Sequence, residues 1–182
     1  MFKKLLFLVF SGLLLGTNLI AQNDKVKLEW VKEILIDQTE LLPQFIKTDL
    51  NGNVYTSGHY SGSTDFDPGV GEYYLPSHGV YVRKLNAAGE FLWAISVVVN
   101  HSSFQNSVMG VDNDGNVYLT GILPEAGDFN PDSLVSYNLM PVGTSMHDMY
   151  ILKLDSNGNF LWASSIDYVT AASIVFDDNG NS

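Results

Sequence analysis

Between residues 44 and 166 apolar and polar side chains alternate in short runs, separated by glycine-bearing turns such as Asn51-Gly52 and Asn157-Gly158. A period of two places successive side chains on opposite faces of an extended strand, and Asn and Gly tolerate the positive φ that tight hairpins require. The pattern predicts strands near residues 44–48, 53–59, 80–85 and 90–97, and again near 107–111, 116–122, 149–154 and 159–166. Only residues 31–42 also carry a spacing readable as helical. The expected class is all-β, built of antiparallel hairpins.

The two sets of four strands are copies of one unit. Gly52-Asn53-Val54-Tyr55 returns as Gly115-Asn116-Val117-Tyr118, a shift of 63 positions, and the same shift carries Asp65-Phe66-Asp67-Pro68 to Asp128-Phe129-Asn130-Pro131. Further on, Gly89-Glu90-Phe91-Leu92-Trp93-Ala94 returns as Gly158-Asn159-Phe160-Leu161-Trp162-Ala163 after 69 positions. The second copy therefore holds six extra residues between Pro131 and Asp148, where an insertion belongs to a surface loop. Trp30 precedes Gly52 by 22 positions, as Trp93 precedes Gly115, and Asp177-Asp178-Asn179-Gly180-Asn181 repeats Asp112-Asn113-Asp114-Gly115-Asn116. Trp30, Gly52, Phe66, Pro68, Trp93, Gly115, Phe129, Pro131 and Trp162 are accordingly assigned to repeated architecture.

These phases divide the chain into an N-terminal segment (22–43) with a closing strand at 27–36, a first unit (44–105), a second (106–171) and the opening of a third (172–182). Four strands per unit at this length predict one blade of a β-propeller, in which radial repetition leaves only short, protected edges. About four to eight blades close such a ring, so two whole units make an incomplete one.

As a linked set, Asp-x-Asp-Gly-Asn-Val-Tyr-x-x-Gly, then Asp-Phe-Asp/Asn-Pro, then Lys-Leu-x-x-x-Gly-x-Phe-Leu-Trp-Ala resembles the SBBP-type bacterial β-propeller repeat. The resemblance covers nearly all of residues 44–182, and Trp30 extends it backward. It implies a secreted or surface-exposed multi-blade propeller of Bacteroidetes-like type, with no shared catalytic chemistry. The departure is length, and the chain reads as an N-terminal fragment of a longer protein that supplies the missing blades.

Composition adds a compartment. Lys3 and Lys4 precede an apolar run from Leu5 to Leu15, followed by small and polar residues to Ala21, which predicts a signal peptide at 1–21 and export to the periplasm, cell surface or medium. The run is shorter than the roughly 20 residues a spanning helix needs, so no membrane span is expected after cleavage. The net charge is −11, and loss of the two lysines makes it more negative. Such a surface repels phosphate backbones, which argues against nucleic acid as a partner. With no cysteine, stability must come from packing rather than disulfides.

Candidate chemistry is sparse. Asp112, Asp114 and Asn116 alternate like the start of an EF-hand loop, but Val117 stands where that loop needs Gly, and Leu123 where it needs Glu. The expected reading is a turn capped by its own Asx side chains, with calcium as the alternative there and at Asp65, Asp67 and Asp128. Asp65 and Asp67 could form an acid–base pair, yet the motif recurs in both units and a single active site needs no copy. Phe66 and Phe129 are expected to anchor their loops while the acids bond backbone N–H groups. Trp93 and Trp162 are expected to pack between blades in preference to stacking a sugar.

His59, His78, His101 and His147 show no metal-ligand spacing, and neither a Gly-x-Ser-x-Gly elbow nor a phosphate-binding glycine loop occurs. No catalytic or cofactor-binding residue is assigned. The expected function is an exported, non-catalytic scaffold or binding module for a glycan or protein at the cell envelope or exterior. The alternatives are part of a propeller hydrolase or lyase whose catalytic residues lie in other blades, and a nonfunctional remnant.

Overall fold

The computed structural model describes residues 3–8, 28–36, 40–76, 78–97, 108–123, 125–142, 148–167 and 173–176. Every regular element among them is a strand. In chain order these are β1 (Lys3–Leu8), β2 (Val31–Ile36), β3 (Glu40–Thr48), β4 (Val54–Ser61), β5 (Thr64–Asp65), β6 (His78–Leu85) and β7 (Phe91–Val97). They continue as β8 (Val108–Val111), β9 (Val117–Ile122), β10 (Gly127–Asp128), β11 (Asn138–Leu139), β12 (Met149–Leu154) and β13 (Phe160–Ile166).

Two four-stranded antiparallel sheets carry the repeated units, β3-β4-β6-β7 and β8-β9-β12-β13, and in each the strand order follows the chain. Four tight turns close their hairpins with one chemistry. Asp49, Asn86, Asp112 and Asp155 open the turns, and each uses one side-chain oxygen to accept the backbone N–H groups two and four residues on, at 2.8–3.0 Å. The residue three positions on is Gly52, Gly89, Gly115 or Gly158, with φ from 77° to 84°. That conformation costs an L-residue about 1–2 kcal/mol.

Bulges re-aim particular side chains. Between β6 and β7 the pairing steps from Lys84–Trp93 to Leu85–Phe91, and between β12 and β13 from Lys153–Trp162 to Leu154–Phe160. The skipped residues, Leu92 and Leu161, are turned outward and exposed. A third bulge shifts the register between Pro43 and Phe45, beside a proline that has no N–H to give the ladder. Gly58 opposite is obligatory, because a Cβ there would collide with the Leu42 carbonyl.

The core lies between successive sheets. One face of the first sheet, with Tyr55, Val82 and Val97, packs on Met109, Leu119 and Leu152 of the second. Its other face, with Tyr60, Tyr81 and Ala94, packs around Phe66 and takes Ile34 from β2. Beyond the second sheet, Ile174 and Phe176 lie where a Cβ on Gly110 would touch them, so the layering continues in chain order.

The segment before the first sheet follows the strand expected at 27–36 and not the helical spacing of 31–42. The described residues of 31–42 hold no helix; they supply β2 and the start of β3, and residues 37–39 lie outside the described set. The buried Ile34 is held by the first sheet's face, and this tertiary contact prevails over the local spacing. The strand expected at 27–36 is seen as β2, which begins at Val31, while Lys27 lies outside the described residues. Its edges are both engaged, one by all six residues of β1 and the other, over Leu35 and Ile36, by β5. Of the expected signal peptide, Lys3–Leu8 forms β1 and residues 9–21 lie outside the described set. No helix among the described residues is long and apolar enough to cross a membrane.

The turn glycines differ in what lies above them. A Cβ on Gly158 would stand 3.1 Å from the Trp93 ring, whereas one on Gly52 meets only the Ala87 methyl at 3.3 Å. Gly158→Ala is expected to lower the unfolding free energy by about 1–3 kcal/mol, and more than Gly52→Ala does. Equal losses in denaturant titrations of the two variants would show that the indole contact adds nothing.

Candidate functional site

The contact between the two sheets is made by side chains whose positions repeat. From β7 the Trp93 indole N–H donates to the Ser156 carbonyl in the β12–β13 turn at 3.1 Å, and the Lys84 ammonium donates to the same oxygen at 2.9 Å. Lys84 also lies 4.9 Å above the Tyr55 ring, a cation–π contact. The Tyr55 hydroxyl sits 3.1 Å from Asp49 Oδ2 and 3.2 Å from the Gly115 carbonyl of the second sheet. One layer earlier the pattern recurs: the Trp30 indole N–H donates to Ala87 O at 2.9 Å, and Gly89 lies beneath the ring. On the far face of the second sheet, Lys153 sits 4.7 Å over the Tyr118 ring, while the indole N–H of Trp162, a residue 41% exposed, meets no acceptor among the described residues.

The acidic motifs are tied into their own loops. Asp65 Oδ1 accepts from Asp67 N at 3.0 Å and Tyr73 N at 2.8 Å, and Asp67 Oδ1 accepts from Gly69 N at 2.7 Å. The second unit repeats this with Asp128 accepting from Asn130 N and Tyr137 N, and Asn130 from Asp132 N. Phe66 and Phe129 are fully buried, their rings 4.9 Å from Tyr81 and 4.7 Å from Tyr150. Pro68 and Pro131 follow at the half-buried rim. Asp112 spends one oxygen on the N–H groups of Asp114 and Asn116 and the other on the Asn116 amide, so its lone pairs point into the turn. For Asp49, Asp128 and Asp155 burial works to raise the carboxyl pKa, but the hydrogen bonds they receive outweigh it and hold all three below the ordinary carboxylate value. No group of three His, Asp or Glu side chains suited to a metal occurs among the described residues.

Where the rim of β7 meets the second sheet, a groove of about 410 Å³ opens. Trp93, Ile95, Val135 and Phe160 form its apolar floor and wall, and Tyr73 stands at its mouth, 40% exposed. Its polar groups are Asn130, Asp132, Asn157 and Asn159. The volume falls in the roughly 300–1,000 Å³ range of small-ligand sites. Trp93 presents an edge here, because Gly158 covers one side of its ring and Tyr55 meets it at 71°. The groove escapes sequence reasoning because its walls come from a strand, a turn and a loop far apart in the chain. Its only sequence signal is a polar set that changes on a repeated frame: Asn157 replaces Ala88, Asn159 replaces Glu90 and Asn130 replaces Asp67.

A second feature is also confined to one unit. Arg83, paired across the ladder with Thr56, is 2% exposed, and its Nε and Nη1 atoms have no hydrogen-bond partner among the described residues. In the second unit these positions hold Leu152 and Leu119. Burial lowers the Arg83 pKa, partly opposed by Tyr81 and Asp67. On the opposite face His59 is 5% exposed where the second unit has Ile122, and burial lowers its pKa to about 4. His78 is exposed, and His101 and His147 lie outside the described residues.

Comparison of the chain with family models, curated proteins and solved structures finds no match.

Two outcomes follow from the unrepeated groups. Replacing a buried cation that lacks full pairing by an apolar side chain removes its desolvation cost, so Arg83→Leu is expected to raise stability by about 1–4 kcal/mol. A drop of more than about 1 kcal/mol in chemical denaturation would mean the guanidinium is fully paired in solution. His59 is neutral in the folded chain down to about pH 4 but takes up a proton near pH 6.5 when unfolded, so stability falls as pH drops through that window. His59→Ile is expected to flatten the midpoint-versus-pH curve between about pH 6.5 and 4, leaving the loss below the carboxylate range in place. An unchanged slope in that window would assign it to other groups.

Proposed function

We propose that the two sheets are blades of an SBBP-type β-propeller, and that the chain serves as an exported, non-catalytic scaffold or binding module whose blade-to-blade grooves and loops meet a glycan or protein partner. One observation carries the reading: the same indole-to-turn-carbonyl contact joins successive layers twice, through Trp30 with Ala87 and Trp93 with Ser156. A contact that reproduces itself at each layer is the requirement for radial repetition, in which every unit touches only its neighbours. Trp162, Lys153 and Tyr118 offer the same donor set to a further blade. The acids that most resemble chemistry are engaged in their own loops, and this favours architecture over catalysis at those positions.

Export follows from the sequence of residues 1–21, and the acidic surface suits partners other than nucleic acid. The reading is tested by probing arrays of glycans and cell-envelope proteins with the full chain. Saturable binding without chemical change of the bound partner is expected. Absence of binding on both arrays, or turnover of a bound glycan, would refute it.

A further inference from the structure

The groove between the two sheets has no assigned ligand, and its chemistry restricts what fits. We propose that it binds a neutral oligosaccharide of two or three sugar rings; this rests on the binding-module reading and names the ligand class for one site.

Three observations converge. First, the groove combines apolar surface from Trp93, Ile95 and Phe160 with an exposed Tyr73 ring, matching the apolar faces of a sugar. Second, it offers planar amide groups with free hydrogen-bonding capacity. Asn157 has no side-chain partner among the described residues, Asn159 uses only its amide nitrogen, on Asp155, and Asn130 uses only its oxygen, on Asp132 N. A side-chain amide offers a donor and an acceptor side by side, as vicinal hydroxyls require. Third, among the described residues no lysine, arginine or histidine lines the groove, and the one charge there is the Asp132 carboxylate. An anionic ligand would enter against that charge with no counter-ion, so neutral sugars are favoured over anionic ones.

The groove frame repeats but its amides do not. On the preceding layer the positions of Asn157 and Asn159 hold Ala88 and Glu90, so amides at these positions are not needed to join two layers. A peptide adding to the free edge of β7 is the competing occupant. The Leu92 bulge interrupts that edge immediately before Trp93, so an added strand finds no continuous ladder in the groove.

The test titrates the full chain calorimetrically with maltotriose, cellotriose, mannotriose and chitotriose, alongside trigalacturonate and a set of unstructured decapeptides. At least one neutral trisaccharide is expected to bind, and Asn157→Ala and Tyr73→Leu are each expected to weaken it about tenfold, the scale of one lost hydrogen-bonded contact. Asn51→Ala, in an exposed turn of the first sheet outside the groove, is expected to leave the affinity unchanged. Ala88 already occupies the position equivalent to Asn157, so that variant is compatible with the turn. Binding of trigalacturonate or the peptides in place of the neutral sugars would overturn the ligand class while leaving the binding-module reading standing. Neutral-sugar binding unaffected by either groove variant would overturn the site alone. Failure of every probe here, with binding still seen on the arrays, would overturn the sugar proposal without touching the broader one.

Discussion

The Trp93 indole reaches the Ser156 carbonyl only because Gly158 offers no side chain beneath its ring, and Gly158 holds its positive φ only because Asp155 caps the turn from the other end. Carboxylate, glycine and indole therefore act as one device, and the spacing between the two sheets depends on it. Lys84 closes on the same carbonyl, and Tyr55 beneath it reaches the Gly115 carbonyl of the neighbouring turn. The equivalent set at Trp30, Ala87 and Gly89 places β2 against the first sheet, although β2 belongs to no complete unit.

Most of the strand plan was legible in the sequence because each strand buries one face and each turn needs Gly at a fixed offset. The eight anticipated strands all occur, with limits within a few residues where they are described. The first begins earlier, at Glu40, because the bulge at Gln44 lets the ladder pass Pro43, a residue that ordinarily stops a strand. The two-residue ladders β5, β10 and β11 are too short to show a period, and the acidic loops place them instead. Arg83 was invisible for a different reason: alternation marks its position as inward, but a charged residue there reads as an exception until compared with Leu152. Tertiary docking alone assembles the groove.

The two units separate into what repeats and what does not. Capping acids, turn glycines, buried Phe66 and Phe129 and the indoles repeat, and all engage the chain's own backbone or core. Arg83, His59 and the amides around the groove do not repeat, and they place a buried cation, a buried imidazole and a polar groove lining on the shared frame. A duplicated unit preserves its fold through the first class and can diverge through the second, because changes there leave the joints between layers intact.

Strand order that follows chain order also governs the route by which the molecule assembles. Each tight hairpin closes only a few residues and loses little loop entropy, whereas each interlayer joint links adjacent units through residues such as Trp93 and Ser156 that lie 63 positions apart. A completed sheet presents its indole and lysine as a template for the sheet that follows. Each hairpin can therefore close locally, while a joint between layers waits until the adjacent unit has been formed.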